Sequence, residues 1–416
     1  MPPRINAERL WQRVEALAAI TDPALPFTRR SFSALHAEGR VRLRTWFEEA
    51  GLAVRLDTAA NLIGRRQGTE AGWRPLMIGS HSDTVPNGGR FDGIAGVLTA
   101  LEVANCLADS GQQLRHPLEV VDFLAEEPSE FGMSCVGSRI LGGRLGRDGL
   151  ALSNAQGETL AEGIRRMGGD PDRLDEAVRG PGSVAAYMEL HIEQGPVLEN
   201  RGIGVGVVTG IVGITRYAII VEGRADHAGN TPMGMRQDAL TAAALLILKV
   251  EEEANALDRS SGFFVGTVGQ LAVEPNAANV VPGRVRLTVE FRSASDAARR
   301  SFIETLQKFA RELTAEAGVR VSFERLSDAA PAICSDIVRG AIRDACAAND
   351  IDCIDMASGA GHDAMHVANA GPMGMIFIPC RGGRSHCPEE WVEPKDLAGG
   401  AAVLLEAVLA LDSRLD

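Results

Sequence analysis

Four continuous apolar runs are the most regular feature of the chain, and polar side chains follow each run near the point where it ends. Runs without alternation of polar and apolar positions are typical of strands buried on both faces of a parallel sheet. Because the ligand site of an open α/β sheet lies outside the carboxyl ends of its strands, these polar clusters are predicted to converge. The runs are Pro75–Ser80, Leu118–Ala125, Ala186–Leu190 and Met373–Pro379, and the clusters begin at His81, Glu126, His191 and Ser385.

The pattern between and after these runs predicts two domains. Helices and short strands alternate around the first three runs, as in an α/β protein with a mostly parallel sheet. From about 212 to 326 the order becomes strand, helix, two strands, helix and strand, which is the split β-α-β-β-α-β arrangement. Since α/β alternation resumes afterwards, we predict a discontinuous α/β catalytic domain at 1–211 and 327–416, with an inserted α+β domain at 212–326.

Composition narrows the class of partner. The 416 residues include 42 Lys and Arg against 55 Asp and Glu, a formal charge of −13 that repels phosphate backbones and anionic membrane surfaces. Nucleic acid and membranes are therefore poor candidate partners. The seven cysteines form no C-x-x-C pair and are read as free thiols. With no signal-peptide pattern and no run long enough to span a bilayer, the sequence predicts a cytoplasmic protein.

The first polar cluster contains a histidine and an aspartate two positions apart. On an extended segment His81 and Asp83 point the same way, so Asp83 can hold one ring nitrogen of His81. Metal-bound imidazoles commonly donate their other N–H to a carboxylate. A strand-end turn closed by an Asx hydrogen bond is the alternative, and the pair alone does not decide between them.

Asp92 stands directly before a predicted helix, in a glycine-rich segment that could return it to His81. An aspartate at this position is by default a helix N-cap, whose oxygen accepts free N–H groups of the first turn. Adjacent Glu126 and Glu127 are costly at the end of a buried strand unless cations neutralise them. One could ligate a metal while the other acts as a general base. A solvated acidic turn is the alternative for this pair.

The later clusters supply more imidazole and carboxylate groups. His191 and Glu193 repeat the two-residue spacing, and His386 lies in the loop after the fourth run. Such a mixed ligand set suits zinc, manganese or cobalt better than magnesium or calcium. The pair His362 and His366 has the spacing of a zinc-binding helix, but lacks the glutamate that this motif requires and is a weak candidate.

Five motifs together resemble the hydantoinase/carbamoylase amidases of the M20 peptidase clan. This group includes N-carbamoyl-L-amino-acid hydrolases, β-ureidopropionases and allantoate amidohydrolases, and the resemblance covers nearly the whole chain. The motifs are GSHSDTV at 79–85, GRFDG at 89–93, the glutamate pair at 126–127, ELHIEQG at 189–195 and GHDA at 361–364.

The resemblance implies two divalent metal ions per subunit, with zinc expected and manganese, cobalt or nickel as alternatives. Asp92 would bridge them, and His81 and His386, or Glu127 and His191, would complete the two sites. Glu126 would be the general base that acts on a metal-activated water, and Asp83 would support catalysis through His81.

The inserted domain matches the dimerisation domain of this group, so the resemblance also implies a homodimer. His227, in GRADHAGNTPM at 223–233, matches a histidine that stabilises the oxyanion. Asn279 and Arg292 match positions that hold the substrate carboxylate, and Gln194 and Ser385 are further expected substrate contacts. Relatives often carry glycine at 128 and arginine at 130, where this chain has proline and Glu130. Because of this difference, the sequence predicts the class of substrate but not the individual compound.

The sequence therefore predicts a dimetal amidohydrolase that cleaves a linear C–N amide bond of an N-carbamoyl amino acid or related ureido acid. An aminopeptidase or aminoacylase of the same clan, acting on a dipeptide or N-acyl amino acid, is the second enzyme hypothesis. A ligand-binding protein that lost catalysis is a third hypothesis, although Glu126 and every expected ligand are present.

Overall fold

The computed structural model describes residues 3–416, which divide into two compact units. The first unit runs to Thr209 and resumes at Ile333, and the second comprises Gly210–Ala332.

The helices and strands are numbered in chain order. The first twelve are α1 (Ala7–Ala18), α2 (Ala34–Glu49), β1 (Ala53–Leu56), β2 (Leu62–Arg66), β3 (Leu76–His81), α3 (Ile94–Ser110), β4 (Leu118–Phe123), α4 (Val136–Leu141), α5 (Leu160–Arg166), β5 (Ala186–Ile192), α6 (Val197–Arg201) and β6 (Val205–Ile211). The next eight are β7 (Gly213–Glu222), β8 (Asp226–His227), α7 (Ala239–Ser261), β9 (Phe264–Glu274), β10 (Val280–Val281), β11 (Arg284–Ser293), α8 (Asp296–Ala317) and β12 (Arg320–Ala329). The last six are β13 (Ala332–Ile333), α9 (Asp336–Ala348), β14 (Cys353–Ser358), α10 (Ala364–Val367), β15 (Met373–Ile378) and α11 (Pro394–Arg414).

The four apolar runs are the four central strands of a nine-stranded sheet. The order along the sheet is β1-β2-β4-β3-β5-β15-β6-β13, and β14 pairs with β6. β4, β3, β5 and β15 are mutually parallel neighbours, and every residue in them is buried. The prediction of a mostly parallel central sheet is therefore confirmed, and the carboxyl ends of these strands lie at one edge.

Antiparallel strands flank this parallel centre on both sides. β2 pairs antiparallel with β4, and β6 pairs antiparallel with β15. Neither β6 nor β14 is among the strands that the sequence predicts. α3 is buried along its length from Ile94 to Leu107, because its small apolar side chains belong to the main hydrophobic core.

The second unit is built on a four-stranded antiparallel sheet in the order β12-β7-β11-β9. Residues of β11 alternate between buried and more exposed, as expected when one face of a sheet packs on helices and the other does not. The buried face packs against α7 and α8. β12 continues to Ala329, beyond the strand end expected from the sequence, so the compact unit extends past residue 326.

All seven cysteines are free, as the sequence predicts. Within residues 3–416, no helix combines the length and the apolar character that a membrane crossing requires.

Candidate metal centre

Asp83 connects the ends of two neighbouring strands. Its Oδ1 and Oδ2 accept the backbone N–H groups of Glu126 and Glu127, each at 3.2 Å. The Nδ1 atom of His81 lies 3.1 Å from the Asp83 carbonyl oxygen and 3.5 Å from Asp83 Oδ1. Burial opposes ionisation of Asp83, but the bond with His81 and the backbone donor hold its pKa below the ordinary value. His81 therefore carries its proton on Nδ1 and directs Nε2 elsewhere.

His81 and His191 face the same oxygen of Asp92. His191 Nε2 lies 3.2 Å from Asp92 Oδ1, and His81 Nε2 lies 3.6 Å from that atom. The Nδ1 atom of His191 is 2.9 Å from the carbonyl oxygen of Ile192, which fixes the ring so that Nε2 points to Asp92. His81, Asp92 and His191 thus form one ligand group, entirely buried.

The second ligand group uses the other oxygen of Asp92. His386 Nε2 lies 3.2 Å from Asp92 Oδ2 and 3.3 Å from Glu127 Oε1. The expected pairing of His81 with His386 and of Glu127 with His191 is wrong. β3 and β5 are adjacent and bring His81 and His191 together, whereas the loop after β15 carries His386 to Glu127. Asp92 is common to both groups, in the position expected of a bridging ligand.

The N-cap interpretation of Asp92 does not hold. The first residue outside α3 is Gly93, which makes no side-chain cap, while the Asp92 oxygens face the histidines. Gly93 has φ 68°, and a Cβ there would lie 2.3 Å from the His81 ring. Both conditions require glycine, which lets the helix start pass directly beside His81.

The electrostatics of the two groups favour bound cations. Burial lowers the pKa of His81, but the carboxylates of Glu126 and Asp83 outweigh it and hold that pKa well above its usual range. Hydrogen bonds with Asp92 and Glu127 raise the pKa of His386 to about 11. His81 Nε2 is buried and has no hydrogen-bond partner. Carboxylates that raise the pKa of imidazoles, together with a buried ring nitrogen that has no hydrogen-bond partner, fit divalent cations.

A third cluster, formed by Glu189, His191 and His362, is not an independent ligand set. The Glu189 oxygens already accept Ser80 Oγ–H at 2.8 Å and the backbone N–H of Ala364 at 3.1 Å. His191 is shared with the first group. His362 Nε2 lies 2.9 Å from a serine hydroxyl, and His366 belongs to none of the three clusters found among residues 3–416.

Glu126 is a buried carboxyl group beside the first ligand group. It is 8% exposed, so the interpretation of a solvated acidic turn is wrong, and its Oε2 lies 3.6 Å from His81 Nε2. The thiol of Cys135 donates to its Oε1 at 3.4 Å. Burial, reinforced by the neighbouring Glu127 and Asp363, holds the pKa of Glu126 well above its ordinary value despite the opposing effect of His81. A carboxyl group with a raised pKa can take up a proton and release it near neutral pH.

Three polar side chains form hydrogen bonds with Asp92 and hold it in place. Gln194 Nε2 donates to Asp92 Oδ2 at 2.7 Å, and Ser385 Oγ lies 2.7 Å from the same oxygen. Glu390 accepts the backbone N–H groups of Phe91 and Asp92. Burial, together with the charge of Asp92, raises the pKa of Glu390 to about 7. The expected role of Gln194 and Ser385 in substrate binding stays a prediction.

The sequence did not identify Glu390 as part of the site, and it wrongly suggested Glu193 as a metal ligand. Glu193 accepts the N–H groups of Val197 and Leu198 at the start of α6, each at 2.8 Å, and so caps a helix. The only signal for Glu390 was an acid four positions after His386, next to a second acid in the same loop. That spacing does not distinguish a buried carboxylate from a solvated one.

Residues His227, Asn279 and Arg292 lie in the second unit. β8 pairs with β10, and the N–H of Ala228 donates to the Asn279 carbonyl at 3.0 Å, so His227 and Asn279 lie close together. His227 Nδ1 accepts the N–H groups of Gly229 and Asn230, at 3.0 and 3.2 Å.

Arg292 and Glu130 both pair with residues of opposite charge. Arg292, on β11, donates to Glu290 Oε1 at 2.8 Å through Nε, and further interactions engage it. Glu130 pairs with Arg166 at 3.3 Å and lines a cavity of about 390 Å³ that contains none of the metal-ligand candidates.

Comparisons with known proteins show the family to which the chain belongs. The family model for peptidases M20/M25/M40 matches residues 77–410. The chain is 42% identical over 408 residues to an N-carbamoyl-L-amino acid amidohydrolase of Geobacillus stearothermophilus, covering 98% of this chain and 99% of that one. It is 36% identical over 413 residues to a ureidoglycolate hydrolase of Oryza sativa subsp. japonica, covering 98% and 85%.

A solved structure shows the same fold over nearly the whole chain. The crystal structure of an amidase of the hydantoinase/carbamoylase family from Burkholderia multivorans superposes with a TM-score of 0.90 at 36% identity and covers 98% of each chain. These matches are far above what fold similarity alone would give, and the named relatives are hydrolases of C–N bonds. The chain therefore belongs to the M20/M25/M40 peptidase family and, within it, to the hydantoinase/carbamoylase amidases.

Proposed function

We propose that this protein is a dimetal amidohydrolase that cleaves the linear C–N amide bond of an N-carbamoyl amino acid or a related ureido acid. One observation carries the proposal. Two ligand groups share Asp92, and the buried acid Glu126 lies beside the first of them. The names of the carbamoyl and ureido relatives support the substrate class.

His81 and His191 with Asp92 would hold one cation, and Glu127 and His386 with Asp92 would hold the other. Divalent cations there would polarise the substrate carbonyl and stabilise the negative charge that develops on its oxygen. Imidazole and carboxylate ligands accept zinc, manganese, cobalt and nickel, and we expect zinc.

Glu126 would accept the proton of the attacking water and deliver it to the departing nitrogen. This role needs a carboxyl group that is shielded from bulk water and has a pKa above its usual range, and Glu126 has both properties. For an N-carbamoyl acid, cleavage of the carbamoyl group would release ammonia and carbon dioxide along with the free amino acid.

His227 is our candidate donor to the substrate oxyanion. Because Nδ1 accepts two backbone N–H groups, the neutral ring carries its proton on Nε2. The side chain is exposed within its unit, so this N–H is available to a ligand. A preoriented donor of this kind stabilises charge that develops in the transition state.

Arg292 and Asn279 are our candidates for binding the substrate carboxylate. We expect Arg292→Lys to raise KM by about 10-fold or more with a smaller change in kcat, because lysine cannot form the paired N–H···O bonds of a guanidinium fork. Steady-state kinetics with an N-carbamoyl-L-amino acid measures this split.

Arg286 provides the matched control for that measurement. It lies on the same strand and also pairs with a glutamate, Glu324, at 3.4 Å. Arg286→Lys should leave KM unchanged. Equal KM values for the two variants would show that Arg292 does not bind the substrate carboxylate.

The inserted unit is our candidate dimerisation surface. β9 is the edge strand of its sheet, with Val265 and Leu271 exposed, and α7 packs against it. Leu248 on α7 is 62% exposed. An edge strand beside exposed apolar residues is a template for pairing with a second copy.

Light scattering on the purified chain should give the mass of a dimer, and Leu248→Glu should shift it toward the monomer. Val41→Glu is the control, since Val41 is 65% exposed on α2 of the first unit. A monomeric wild-type protein would contradict the homodimer.

Substrate profiling tests the proposed function against the aminopeptidase or aminoacylase hypothesis. The metal-reconstituted protein would be assayed for ammonia release from N-carbamoyl-L-amino acids, N-carbamoyl-β-alanine and allantoate. Amine release from dipeptides and N-acetyl amino acids would be followed in parallel. Ammonia from one ureido class is the expected result, whereas amine release alone would transfer the protein to the peptidase or aminoacylase branch.

A further inference from the structure

Glu390 is a buried carboxylate that the proposed reaction does not use. It is 1% exposed, and its Oε1 accepts the backbone N–H groups of Phe91 and Asp92 at 2.7 and 3.1 Å. Its Oε2 lies 2.9 Å from Ser385 Oγ. One carboxylate thus contacts the segment that carries the shared ligand Asp92 and the segment that carries His386.

The backbone of the first segment is shaped around this carboxylate. A Cβ on Gly89 would lie 1.9 Å from Glu390 Oε1, so only glycine leaves room for it. Next to the hydrogen bonds, the Phe91 and Trp391 rings pack with centroids 5.9 Å apart, and Trp11 contacts both. The two segments are therefore joined by a polar contact and an apolar contact side by side.

The contact is not symmetric with respect to the two ligand groups. Asp92 Oδ1 faces His81 and His191, whereas Oδ2 faces His386. Ser385 Oγ lies 2.7 Å from Asp92 Oδ2, so the connection from Glu390 through Ser385 ends on the oxygen of the second group. Ser385 also directly precedes His386 along the chain. Displacing Glu390 should disturb the second group more than the first.

We propose that Glu390 is a positioning residue that sets the cation affinity of the Asp92–Glu127–His386 group more strongly than that of the His81–Asp92–His191 group. The inference rests on the proposed dimetal function. Groups that hold metal ligands in place commonly change metal affinity by about 10- to 100-fold when they are replaced.

A merely structural role predicts a different result. If Glu390 only stabilised the fold, its loss would lower thermal stability and weaken the binding of both cations equally. Weaker binding of only one of the two cations would distinguish a positioning role from a structural role. This binding can be measured without following activity.

The test is titration of the metal-free full-length protein with Co²⁺, followed by calorimetry and by the visible absorption of bound cobalt. Wild type should take up two equivalents. Glu390→Gln keeps the size of the side chain and one acceptor oxygen, and we expect it to weaken one step by about 10- to 100-fold. His386→Ala, which removes a ligand of the second group, identifies the step that should be affected.

Glu389→Gln is the matched control. Glu389 neighbours Glu390 in the same loop but is exposed and pairs with Arg384 at 3.0 Å, so both cobalt steps should match wild type. Thermal unfolding followed by circular dichroism checks that each variant folds. If Glu390→Gln does not fold, Ser385→Ala interrupts the same connection while it leaves the two backbone hydrogen bonds of Glu390 intact, and the same selective loss is expected.

The outcomes separate this inference from the proposed function. Wild type that binds fewer than two cobalt ions would overturn both. Two ions bound equally well by wild type and variant would overturn only the role of Glu390. Equal weakening of both steps would assign Glu390 a structural role instead.

Discussion

Glu126→Gln is expected to lower kcat by about 10²- to 10⁴-fold while the protein keeps both cations. Glutamine has the size of glutamate but cannot accept a proton from water. The ligand groups themselves do not include Glu126, so metal binding should persist. Steady-state kcat and metal content, measured on the same preparation by elemental analysis, test both parts of this expectation.

Glu158→Gln is the control for this variant. Glu158 lies in the same unit, but it pairs with Arg166 at 2.8 Å and belongs to neither of the two ligand groups. Its replacement should change kcat little. Full activity of Glu126→Gln with both cations bound would remove Glu126 as the general base, whereas loss of activity together with loss of metal would show that Glu126 acts through metal retention.

The position of the site was predictable because it depends on strand direction. Continuous apolar runs identify strands buried on both faces, and such strands are parallel in α/β sheets. Their carboxyl ends then share one edge, which is why His81, Glu127, His191 and His386 converge although they are far apart in the sequence. No detail of side-chain packing was needed for that step.

The pairing of the ligands was not predictable from the sequence. It depends on which oxygen of Asp92 faces which strand, and this follows from the left-handed backbone at Gly93 and from the order β4-β3-β5-β15. Spacing was also misleading for Glu193. It lies two positions after His191, as Asp83 lies two positions after His81, but the two carboxylates have different roles. Asp83 receives N–H groups from the neighbouring strand end, whereas Glu193 receives them from the helix that follows it.

The inserted unit was predictable in its order of strands and helices because its periodicities are simple. Alternating burial in β11 and long amphipathic helices identify a sheet with one covered face. The short pairing of β8 with β10 was missed, since two-residue strands leave no periodic signal. That pairing brings His227 close to Asn279.

Asp92→Asn should abolish activity and the binding of both cations, since Asp92 is the one residue common to the two ligand groups. The amide is neutral and offers a single oxygen, so it cannot serve His81 and His191 on one side and His386 on the other. A cation present at 100 times its Kd stabilises a folded protein by about 2.7 kcal/mol per site. Zinc should therefore raise the Tm of wild type, and this rise should disappear in the variant.

Asp57→Asn is the control for the loss of a buried carboxylate. Asp57 lies in the same unit and accepts the backbone and side-chain N–H groups of Asn61 at 2.8 and 2.9 Å. Its replacement should lower Tm, because a hydrogen bond to a charged group is lost, yet the rise in Tm on adding zinc should remain. If Asp92→Asn kept one of two tightly bound cations, Asp92 would serve a single group, and the two sites would be independent instead of bridged.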